Sequence, residues 1–159
     1  SYQDALALFR QVGDRLGEAN TLRAIGDVQQ FRDDYDAALG SYQDALALFR
    51  QVGDRLGEAN VYLAQGKVKL SQEDVTGAES LWERAATLYR QVGARSGLAN
   101  VSINRARLSA AQGKWAAAAR QIEPAIDFGR AVGHPLGAEL AAEKAAWLEQ
   151  AERSTDDDD

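Results

Sequence analysis

Between residues 14 and 53 the apolar positions recur at intervals of three and four. Ala19, Leu22, Ile25 and Gly26 fall on one face of a helix. After the polar break Arg32-Asp33-Asp34, a second stripe runs through Tyr35, Ala38, Leu39, Tyr42, Ala45, Leu46 and Phe49. The pattern predicts one helix over 15–31 and another over 35–52. Asp14 suits the N-cap of the first, because its carboxylate can accept from the free amides of the opening turn. Gly53 sits just past the end of the second, where a left-handed residue costs glycine least. Neither helix can bury its stripe alone, so the hairpins must stack on neighbours.

The neighbours are written in the same chain. Residues 1–20, SYQDALALFRQVGDRLGEAN, return letter for letter at 41–60, an offset of 40. Looser copies follow at 81–100 and 121–140, with Arg10, Arg50, Arg90 and Arg130 in one column and Gly13, Gly53, Gly93 and Gly133 in another. A fixed period in this range marks a repeat architecture. Helices are therefore expected at 1–12, 15–31, 35–52, 55–71, 75–92, 95–112, 115–132 and 136–152, eight in all, followed by an acidic, disordered tail over 153–159. Pro124 falls inside the seventh and predicts a bend there, since proline removes one helical hydrogen bond. The chain opens on a second-type helix and closes on a first-type one. It contains no methionine, even at position 1, and reads as a segment of a longer protein. Residues 61–80 differ from 21–40 at most positions, which favours natural drift with a local duplication over an engineered array.

These residues resemble the tetratricopeptide repeat. Leu22, Ile25-Gly26, Asp34-Tyr35, Ala38, Tyr42 and Ala45 fit its pattern in the first unit. Tyr62, Gly66, Asp74-Val75, Ala78, Trp82 and Ala85 fit it in the second. The third is looser, with Ala106 in place of the glycine, then Trp115, Ala118, Ile122 and Ala125. The longer period and the link Gly13-Asp14-Arg15-Leu16-Gly17-Glu18 look like the subclass found in Pins-type polarity adaptors. The resemblance implies an all-α, right-handed α-solenoid, a superhelix of antiparallel hairpins over residues 1–152. It implies a non-enzymatic interaction scaffold in a larger signalling or regulatory protein, holding a peptide or partner helix in a concave groove lined by the first helix of each unit.

The columns that avoid the core stripe are then the candidate partner-binding residues. They are Asn20, Asn60 and Asn100; Arg23, Leu63 and Ile103; Asn104; and Asp27, Lys67 and Arg107. An amide side chain both donates and accepts, so the asparagine column can pair with a peptide backbone of any sequence; the competing reading is that each asparagine locks one repeat to the next. Pins-type adaptors carry arginine in this column for acidic partners; this chain has asparagine there, so the column itself gives no basis for an acidic-peptide specificity. Arg23, Lys67 and Arg107 would make the groove mildly basic. Trp82 and Trp115 fall in core columns and Trp147 in a groove column.

Composition narrows the function classes. The net charge is −6, and without Arg153 and Asp156–Asp159 it is 17 positive against 20 negative, which argues against nucleic-acid binding through a basic surface. The chain has no cysteine and no run long enough to span a membrane. The single histidine, His134, occupies the column of Asp14 and Asp54 ahead of a helix start, with Pro135 after it. Asp33-Asp34-Tyr35-Asp36 lacks the spacing of a calcium loop, and Gly13-x-x-x-Gly17 follows no strand. No catalytic residue, metal site or cofactor is expected, the partner is a protein or peptide, and the expected setting is cytoplasmic. The competing function is a structural one: the unmatched end helices stack copies end to end as a homo-oligomer.

Overall fold

The computed structural model describes residues 1–156, the side chain of the last excepted. Nine helices are present among the described residues: α1 (Tyr2–Val12), α2 (Arg15–Phe31), α3 (Tyr35–Val52), α4 (Arg55–Ser71), α5 (Val75–Val92), α6 (Arg95–Ala111), α7 (Trp115–Gln121), α8 (Glu123–Ala131) and α9 (Leu136–Asp156). They fall into two compact units, one spanning Ser1–Gly93 and the other beginning at Ala94.

In the first unit each helix packs on the next, from α1 through α5, and α2 also touches α4. Connections of two or three residues make consecutive helices antiparallel, as in a helical solenoid. Asp14 and Asp54 cap α2 and α4, accepting from the amides of Gly17 (2.8 Å) and Gly57 (2.9 Å). Asp34 and Asp74 do the same for α3 and α5. Gly53 ends α3 at φ 75°, where a β-carbon would crowd the backbone. The core is built of small residues against aromatics. Ala19, Ala38, Ala45, Phe49 and Ala59 have no exposed surface, nor do Tyr42 and Trp82. Two glycines make that packing feasible: a β-carbon on Gly26 would lie 2.6 Å from the Tyr42 ring, and one on Gly66 2.3 Å from the Trp82 indole nitrogen.

In the second unit α6 packs on α7 and α8, which both pack on α9. Its core gathers Ala99, Ile103, Ala106, Ala118, Ile122, Ile126, Leu140 and Trp147, with Trp115 half-buried beside them. Two expectations change here. The helix expected over 115–132 is two helices broken at Ile122, because Pro124, in the first turn of α8, has no N–H for the carbonyl of Arg120. The last helix runs on to Asp156 instead of stopping at 152. The Glu149–Arg153 pair (3.9 Å) and the bond from Thr155 Oγ1 to the Glu152 carbonyl (2.7 Å) lie in this last stretch. The remainder of the expected tail, 157–159, lies outside the described residues. His134 accepts from the Leu136 amide at 3.0 Å, the helix-start role its column suggests.

Candidate functional site

α2 and α4 are consecutive first helices of two hairpins, and their outer faces enclose a cavity of about 400 Å³ lined by Arg23, Asp27, Asn60, Leu63, Ala64 and Lys67. Five of the ten expected groove residues thus meet in one place: Arg23, Asp27, Asn60, Leu63 and Lys67.

Inside the cavity the polar groups are unequally used. Asp27 accepts from Arg23 (3.1 Å) and from the Tyr42 hydroxyl (2.7 Å). Burial, chiefly, and that bond to Asp27 push the Tyr42 hydroxyl well above the usual tyrosine range. Asn60 Oδ1 accepts from the Tyr89 hydroxyl at 2.7 Å. Burial raises Tyr89 to about 12, with the positive charge of Arg23 opposing it. Two donors remain without a partner among the described residues, the Asn60 amide nitrogen and the Lys67 ammonium. Leu63, although buried at 8% exposure, lines this same cavity. The site therefore offers hydrogen-bond donors and one unpaired positive charge in a mainly polar cavity, with Leu63 and Ala64 beside them.

The other expected residues behave differently. Asn20 is exposed and bonds its own helix, Nδ2 to the Leu16 carbonyl at 3.1 Å; it does not line the cavity. Asn100, Ile103, Asn104 and Arg107 belong to the second unit, on α6. Asn100 is exposed, and its carbonyl accepts from the half-buried Asn104 at 2.7 Å. Ile103 packs in the core with Trp147. Arg107 is not a free cation, for it makes a two-pronged pair with Glu143 of α9 at 3.0 and 3.1 Å, and that bonding raises its pKa. Trp147, in the same column, is buried.

Two features escaped the sequence reading. Tyr89 occupies the core column of Phe9 and Phe49, and the one visible signal was a tyrosine standing where those copies have phenylalanine. A larger cavity, about 540 Å³, is lined partly by Tyr62, Arg84 and Leu88. Arg50 and Arg84 each lie 5.9 Å from the Tyr62 ring centroid. Its carboxylates are occupied, Glu58 by Arg50 and Glu83 by Arg90, both at 3.5 Å.

Among the described residues no group of three or more His, Cys, Asp or Glu could hold a metal ion, and no helix is long and apolar enough to cross a membrane. Antiparallel hairpins repeating at a fixed period define a helical-repeat protein, a class whose members present surfaces to partners. Residues 1–51 match the family model of the tetratricopeptide repeat. The match covers α1, α2 and all but the last residue of α3, and the hairpins that follow at the same period are consistent with an array of the same repeat. No curated protein matches the chain. The family suggests a protein–protein interaction scaffold.

Proposed function

We propose that the cavity between α2 and α4 binds an extended peptide segment of a partner protein, and that it takes acceptor-rich, carboxylate-bearing peptides. The observation that carries this reading is the pair of unspent donors, Asn60 Nδ2 and Lys67 Nζ, in one cavity beside Leu63 and Ala64. The amide donor suits a backbone carbonyl and the ammonium a carboxylate. Arg23 contributes little net charge, because Asp27 neutralises it. The acceptor half of Asn60 ties α4 to α5 within one hairpin through Tyr89, not one repeat to the next, and leaves its donors for a ligand.

The test is selection from a library of unstructured dodecapeptides, followed by titration of the winners. Selected sequences are expected to be rich in Asp and Glu. Lys67→Glu should weaken them about tenfold or more. Asn60→Asp keeps the acceptor for Tyr89 and removes the donors, and should weaken them comparably, whereas Glu152→Ala should leave binding unchanged. A library yielding no binder, or binders indifferent to both groove changes, would sink the proposal.

A further inference from the structure

Tyr62, Gln65 and Lys69 each stand two residues on from Asn60, Leu63 and Lys67 along α4. Two residues turn a helix through about 200°, so these side chains leave α4 on the side away from the peptide cavity. There, where α3, α4 and α5 meet, lies a cavity of about 300 Å³. Leu39 and Leu46 of α3 and Leu81 of α5 give it apolar walls, and Gln65, Lys69 and Arg84 are among its polar groups. Among the described residues no carboxylate lines it.

Two of those polar groups are unspent. Gln65 is 6% exposed, yet its amide bonds no other group among the described residues. No buried side-chain nitrogen or oxygen among them is both sealed from solvent and unpartnered, so the Gln65 amide keeps an open side, and the cavity is what it opens onto. Arg84 is exposed and pairs with no carboxylate among the described residues; its guanidinium lies 5.9 Å from the Tyr62 ring centroid. The other cations of the cavity are committed, Arg50 to Glu58 at 3.5 Å and Lys69 to Asp74 at 3.8 Å. Burying an amide without a partner is costly where an apolar side chain could pack. The chain itself shows the apolar alternative, for one period earlier the columns of Gln65 and Arg84 hold Ile25 and Asp44. Stacking one hairpin on the next therefore needs neither the amide nor the positive charge.

We propose that this cavity binds a small organic carboxylate with an apolar body. The Arg84 guanidinium and the Gln65 amide N–H take the carboxylate, and the leucine walls take the body. A guanidinium and an amide donor match carboxylate oxygens. The volume lies at the small end of the range that small-molecule ligands fill, about 300–1,000 Å³. Inorganic phosphate would use the donors and leave the leucines bare. The site shares no residue with the cavity between α2 and α4 and stands independently of the peptide-binding reading.

The test is titration of the chain with a panel of simple carboxylates, from phenylacetate to 4-phenylbutyrate and from hexanoate to octanoate, followed by NMR of backbone and side-chain amides. At least one member is expected to bind saturably at about 1 mM or tighter, with the largest shifts at the Gln65 side-chain amide and at Arg84. Its primary amide, and inorganic phosphate, should bind about tenfold more weakly. Gln65→Ile and Arg84→Asp each write in the residue of the preceding repeat, so the fold is kept; each should weaken binding about tenfold or more with no fall in melting midpoint. Arg120→Asp, the same change of charge at an exposed arginine of α7, should leave binding unaltered. The proposal is overturned if no member of the panel binds saturably, if the primary amide binds equally, or if Gln65→Ile binds as the parent does. Shifts centred on Asn60 and Lys67 would also overturn it, by returning the carboxylate to the peptide cavity.

Discussion

A methyl group added at Gly26 would press on a tyrosine ring that has no exposed surface and is anchored through its hydroxyl to Asp27 and Gln30. The ring has nowhere to retreat, so Gly26→Ala is expected to destabilise the chain by about 1–3 kcal/mol in urea unfolding. Gly40 makes the opposite case on the same pair of helices. It lies inside α3, exposed, with nothing within 4 Å of an added β-carbon, so Gly40→Ala should stabilise by about 0.5–1 kcal/mol through backbone entropy alone. Tyr89 gives a pH signature. Its folded pKa of about 12 lies above the ordinary tyrosine value of about 10, so at intermediate pH the folded state keeps a proton that the unfolded chain has released. The stabilisation is complete below pH 10 and is lost as pH rises through 12. Unfolding free energy followed across that window should fall less steeply in Tyr89→Phe than in the parent; Tyr42, also raised, preserves part of the slope.

From α1 through α5 the helix boundaries were legible because local groups mark them: a capping side chain, a left-handed glycine, a polar break. The cap column also exposes a gap. Asp14 and Asp54 bond the amides of α2 and α4, but Ala94 stands in that position before α6 and makes no such bond. Ala94→Asp should therefore restore the bond to the Gly97 amide and raise the melting midpoint, worth about 1 kcal/mol by comparison with capping substitutions elsewhere. Pro124 was visible as a perturbation, yet not the completeness of the break at Ile122, because that depends on how the chain repacks around a missing donor. The neighbours of Ile103 and Arg107 were illegible for a related reason. What surrounds them is α9, and whether a first-helix position faces a groove or a neighbour is fixed by residues such as Glu143 and Trp147, thirty-six or more positions away.

For the molecule as a whole, the repeat period carried most of the architecture, since one hairpin that cannot bury its stripe dictates the next. The candidate site was legible only in outline. The columns on α2 and α4 do converge, but the division of Asn60 between a structural acceptor and a free donor rests on the Tyr89 hydroxyl, a contact between residues 29 positions apart. The letter-for-letter duplication has one more consequence. Leu6 and Leu46, and Phe9 and Phe49, have the same sequence neighbours, so their unprotected exchange rates are alike, and a difference in protection within each pair arises from the longer start of α3 and from tertiary surroundings. The amides of Leu46 and Phe49 should exchange more slowly than those of Leu6 and Phe9 when followed by NMR in deuterated buffer. The ratio of each pair, taken through RT ln, is then the free energy that the longer helix and its covering neighbour together add to one fixed stretch of sequence, obtained within a single molecule and without a mutation.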